Sequence, residues 1–115
     1  MARTSLIAGM LRSFSYAALT GLSAATQARP EDLERLGPWS GVWETWVGAA
    51  YLRAYLGATR GAAFLPSRGQ DFDALLQVFL VEKALYELAY ELNNRPEWVH
   101  IPLAGLLRLR TTHHA

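Results

Sequence analysis

The chain has 115 residues, 51% hydrophobic and only 18% charged, with 11 Lys and Arg against 10 Asp and Glu for a formal charge of +1. That length fits one domain with its own core, and the near-neutral charge gives no electrostatic reason to expect a nucleic acid or a membrane surface as partner. With no cysteine in the chain, disulfides, thiolate metal sites and thiol nucleophiles are excluded, which agrees with a cytoplasmic setting, while the apolar surplus points to a surface that expects a partner.

The first stretch, MARTSLIAGMLRSFSYAALTGLSAATQA, shares Arg3, an apolar run and small residues with signal peptides, but Arg12 cuts the run short. Spacings of three and four instead place Leu6, Met10, Phe14, Ala17 and Ala18 on one face of an amphipathic helix spanning about 5–25. It ends before Arg29-Pro30, because proline disfavours helical geometry in the residue before it. A short turn over Glu31 to Leu36 is expected next, and Gly37-Pro38 marks a break.

A second helix is expected over about 39–56. Val42, Trp46, Ala49, Ala50 and Arg53 form one stripe, and Trp39, Trp43 and Val47 a neighbouring one, so the helix reads as largely buried. Gly57 to Gln70 mixes Gly, Pro, Ser and Arg and reads as a loop, with Asp71 as the N-cap of a third helix. That helix covers about 72–92, with Val78, Val81, Leu85, Leu88 and Leu92 as its core stripe. Asn93-Asn94-Arg95-Pro96 stops it. A last helix over about 102–110 has Pro102 in its first turn and Leu103, Leu106, Leu107 and Leu109 as anchors, ahead of a frayed tail at 111–115. There is no convincing strand pattern and no uninterrupted apolar run of the ~18 residues a spanning helix needs. The expectation is therefore an all-α chain forming a single helical unit over residues 1–110.

The chemical signatures are mostly negative. Neither GxxxxGK[ST] nor GxGxxG is present, so no glycine-rich turn is available to cradle phosphates. Asp71-Phe72-Asp73 superficially resembles a magnesium-binding Asp-Phe-Gly, but it opens a helix and lacks the glycine. His100, His113 and His114 have no metal-ligand spacing; His100 reads as a surface residue between helices. Glu82, Glu87 and Glu91 read as a solvated face.

A second stripe on the third helix combines Phe79, Lys83, Tyr86 and Tyr90, with Asn94 at its end. Tyr86 and Tyr90 are four apart, so their rings share a face and could stack on the apolar side of a sugar while Lys83 holds a hydroxyl. The spacing by itself favours the alternative, in which both rings pack on a neighbouring helix and Lys83 pairs with Glu87. The Trp39, Trp43 and Trp46 set is dense enough for ligand stacking, but its place on a helix read as buried favours core packing.

The run EKALYELAYELNNRPEWVHIPLAGLLRL, residues 82–109, closely resembles the C-terminal end of maltokinases, including those fused behind trehalose synthase. AGMLRSFSYAA, residues 8–18, looks like the family segment that comes after its acidic metal-binding motif. The Trp-rich helix and the loop before FLP stand in the expected order, so the resemblance covers nearly the whole chain. It implies a helical C-lobe segment of a eukaryotic-kinase-like, aminoglycoside-phosphotransferase-like fold. The implied reaction converts ATP and maltose to ADP and maltose 1-phosphate on the way to α-glucan. ATP and Mg2+ belong in that family to a nucleotide lobe and catalytic motifs that these 115 residues do not contain. The resemblance assigns Lys83, Tyr86 and Tyr90 to the maltose-facing side, with Asn94 joining them as the end of the same stripe, and it implies a kinase lobe in cis or in trans as partner. Leu6 and Ser15 stand where the family often has aspartate; at Leu6 the change removes a potential N-terminal helix cap.

Overall fold

The computed structural model describes residues 2–58 and 69–112, and among them every element is helical, with no strand. Helix α1 spans Ala2–Thr26, α2 Leu33–Ala58, α3 Gly69–Asn94 and α4 His100–Thr112. The loop expected before Asp71 falls mostly on residues 59–68, and the end of the tail on 113–115, outside the described residues. The chain divides into two compact units, one made of residues 1–12 and 61–115, the other of residues 13–60.

The same short device joins α1 to α2 and α3 to α4. Arg29 and Arg95 each precede a proline and are held at φ −136°, ψ 78° and φ −142°, ψ 73°; the prolines open 3-10 turns over Pro30–Asp32 and Pro96–Trp98. A residue before proline is driven out of the helical region, and proline itself suits a first turn. Arg-Pro-Glu thus ends one helix and starts the next in both places.

Pro38 does not break α2, which begins five residues earlier and runs through it. Proline removes one intrahelical hydrogen bond, the one that would run to the Glu34 carbonyl. Both residues are exposed, so the loss of that one bond does not leave a carbonyl stranded in a core. Asp71 does not cap α3 either, since that helix begins two residues ahead of it; its side chain lies outside the described residues. Leu6 likewise lies well inside α1 rather than at its cap.

The unit containing α3 and α4 also takes in the first twelve residues of the chain. Its core holds Ile7, Ala8, Phe72, Leu76, Ala84 and Ile101, and α4 packs against α3 with Pro102 and Gly105 buried. The expected stripe is corrected here. Val78, Leu85 and Leu92 of α3, Leu6 and Met10 of α1, and Leu103 and Leu107 of α4 are exposed, whereas Thr4, Arg12 and Glu91 are buried. The buried line of α1, Thr4-Ile7-Ala8-Arg12-Ser15-Ala18, is turned by about one residue, or ~100°, from the apolar one. Charge goes inside because each buried charge is paired. Arg12 Nη2 and Nε donate to Glu87 Oε1 at 2.8 and 3.0 Å, and Arg95 Nε and Nη2 donate to the two oxygens of Glu91 at 2.8 and 2.9 Å. Glu87 and Glu91 are therefore interior partners, not part of a solvated face.

In the unit of residues 13–60, α2 packs on the C-terminal part of α1 through its less apolar side. Phe14 meets Tyr51 edge-on with ring centres 5.7 Å apart, Ser40 Oγ donates to the Ala18 carbonyl at 3.0 Å, and Ser15 Oγ donates to the Glu44 carboxylate. Trp39, Val42, Trp43, Trp46, Ala49, Ala50 and Arg53 all face outward. The largely buried helix expected from its two apolar stripes is thus not what forms.

Candidate functional site on helix α3 and the tryptophan groove

The four residues assigned to a sugar-facing side lie on α3 in very different surroundings. Tyr86 is 74% exposed, and Tyr90 one turn on is also exposed, so the alternative in which both rings pack on a neighbouring helix is not realised. Asn94 is exposed, and its Nδ2 donates to the Tyr90 carbonyl at 2.8 Å. That bond ties the last residue of α3 back to its own helix and leaves the amide oxygen free to accept from a ligand. Lys83 is half-buried, its side chain lying across Gly9 of α1 with Nζ 3.8 Å from where a side chain at Gly9 would begin. It does not pair with Glu87, whose carboxylate is taken by Arg12. Tyr86, Tyr90 and Asn94 thus share an open face, and Lys83 lies towards the interior.

Next to this face the α3–α4 corner carries a cluster that reads in the sequence only as a turn. The Arg95 guanidinium pairs with Glu91, which is 1% exposed, and lies 4.0 Å from the Trp98 ring centre and 5.6 Å from that of Tyr90. Stacked between rings and clamped by two hydrogen bonds, the cation holds Tyr90 and Trp98 in place. The sequence signal for it is the spacing of Glu91 and Arg95, four apart along a helix. At the start of α4, exposed His100 has Nδ1 3.0 Å from the Glu97 carbonyl and donates to it when that nitrogen carries the proton.

A second concave feature lies wholly within the unit of residues 13–60. Ala17, Ala18, Gly21, Leu22 and Ala25 of α1 form one side of a groove of about 380 Å³, and Leu36, Trp39, Ser40 and Trp43 of α2 form the other. Its size falls in the range of small-ligand sites, but its walls are almost entirely apolar, and Ser40 already spends its hydroxyl hydrogen on Ala18.

Among the described residues, no group of three or more His, Cys, Asp or Glu is placed to hold a metal ion. Likewise, none of their helices is long and apolar enough to cross a membrane. Fold and surface together define an all-helical protein with solvent-facing aromatic residues. No family model and no solved structure matches the chain.

Proposed function

We propose that this chain is the C-terminal, maltose-facing helical part of a maltokinase-like enzyme, the whole of which turns ATP and maltose into ADP and maltose 1-phosphate. The observation that carries the reading is the resemblance of residues 82–109; the all-helical architecture is compatible with it, and the open tyrosine face of α3 supports it. Tyr86 and Tyr90 stack on the sugar, Asn94 accepts from a hydroxyl, and Lys83 donates at the inner edge of the site. ATP, Mg2+ and the catalytic aspartate belong to a kinase lobe supplied in cis or in trans, in some arrangements beside trehalose synthase, in the cytoplasm. Phosphoryl transfer rests on positioning phosphates and metal, so these residues alone perform none.

Calorimetric titration of maltose into the 115-residue chain tests the sugar role. Heat of binding that disappears in Tyr86→Ala, with an unchanged far-UV circular dichroism spectrum, is the expected result; no heat from the unsubstituted chain overturns it. Maltose-dependent ADP release by the chain alone would overturn the division of labour. A second reading, a non-catalytic helical module that binds sugars or a protein, draws on the outward apolar face of α2, and sugar binding that no kinase lobe converts into turnover favours it.

A further inference from the structure

The Arg-Pro-Glu turn occurs twice with nearly the same backbone, but only its second copy is elaborated. The Arg29 side chain is 70% exposed and reaches Glu31 and Asp32 at 3.3 and 3.6 Å. Five and four residues before it stand Ala24 and Ala25, and three after it Asp32; the equivalent places around Arg95 hold Tyr90, Glu91 and Trp98. Since the first turn ends one helix and starts the next without those three residues, the turn itself does not require them.

Their arrangement runs from the interior outwards. Glu91 is 1% exposed, and its two oxygens accept from Arg95 Nε and Nη2 at 2.8 and 2.9 Å. A carboxylate is buried at little net cost only when such pairing is close, and the two parallel bonds fix the plane of the guanidinium. Arg95 Cζ lies 4.0 Å from the Trp98 ring centre and over the Tyr90 ring at 5.6 Å, inside the range in which a cation is attracted to an aromatic face.

We infer that Arg95 is a positioning residue for sugar binding: anchored through Glu91, it fixes the Tyr90 ring so that the uncovered face is set before a ligand arrives. This role rests on the reading in which Tyr90 stacks on maltose. A tyrosine on an exposed helix turns among staggered rotamers, and a ligand that stacks on it loses affinity by having to select one. At Tyr90 the cation makes that selection in advance. Tyr86, 74% exposed, has no cation or ring against it among the described residues, so the face combines one fixed ring with one adaptable ring. All the residues involved belong to the unit that contains α3 and α4.

Calorimetric titration of maltose into the full chain and into Arg95→Lys, well below the melting transition of each, tests this role. Lysine keeps the positive charge beside Glu91 but neither the plane nor the second hydrogen bond. The expected result is a Kd about five- to tenfold weaker, with far-UV circular dichroism unchanged and near-UV circular dichroism reduced as Tyr90 and Trp98 lose their fixed surroundings. Gly105→Ala, which lowers stability from outside the sugar face, separates positioning from mere support: its Kd stays that of the unsubstituted chain. Glu91→Gln keeps the size of the anchor and gives up its charge-assisted grip, and it serves if Arg95→Lys does not fold, with a Kd about two- to threefold weaker. Unchanged affinity in these two variants overturns the positioning role and leaves the sugar reading standing. Equal weakening in Arg95→Lys and Gly105→Ala also overturns it, because stability and not ring position would then govern binding. No heat from the unsubstituted chain overturns the sugar reading, and the role of Arg95 with it.

Discussion

Arg12 is 7% exposed and Glu87 18%, and their side chains meet at 2.8 Å. Gly105 of α4 is what makes room for the guanidinium: an alanine Cβ there would lie 2.9 Å from Arg12 Cζ, and the pairing with Glu87 keeps the arginine from swinging away. Gly105→Ala is therefore expected to destabilise the chain. The overpacking cost of about 1–3 kcal/mol exceeds the ~1 kcal/mol that alanine adds as a better helix former. Arg12→Met strands a part-buried carboxylate and should lower stability by about 3 kcal/mol, whereas adding Glu87→Leu should restore most of the loss, since a matched apolar pair replaces a buried ion pair at little cost. Urea denaturation of the single and double variants measures both effects. Tyr86→Ala, at an open site, should change stability by less than about 0.5 kcal/mol. Its effect on sugar binding can then be read without a folding artefact.

At the scale of elements, Pro38 and the α3–α4 corner make opposite predictions. Pro38→Ala restores a hydrogen bond inside α2 and suits its exposed position, so it should stabilise the chain by about 1–3 kcal/mol, visible as a rise in Tm. Arg95→Ala removes the cation that pairs with Glu91, along with the ring stack on Trp98. A loss of about 3–5 kcal/mol is expected in the same melting experiment. Arg95→Lys should recover only part of it, because an ammonium cannot make both hydrogen bonds and stack. The Arg-Pro-Glu turns explain why helix ends are legible in the sequence. Proline acts on its immediate neighbours, so Asn93-Asn94-Arg95-Pro96 marks the end of α3 from local chemistry alone. Gly37-Pro38 misleads for the same reason in reverse: a local breaker loses when its one missing donor faces water.

Among the described residues, the charged pairs Arg12–Glu87 and Arg95–Glu91 are wholly or partly buried while many large apolar side chains face out. With a charge of only +1 and a sequence pI of about 8.2, little repulsion keeps such surfaces apart. Solubility should fall as pH rises from 7 towards 8.2 and recover at lower pH as positive charge accumulates, measured by turbidity at fixed protein concentration. The sequence by itself determined the helical class and, among the described residues, the number of long helices. It also settled where α1 and α3 end, because periodicity, proline and asparagine act over a few residues. Which faces turn inward was decided only by tertiary structure. Arg12 and Glu87 are 75 positions apart, so nothing local reveals that each can neutralise the other and pull its helix face into the core. The tryptophans of α2 and the tyrosines of α3 stand on open faces, although periodicity alone places both sets in packing.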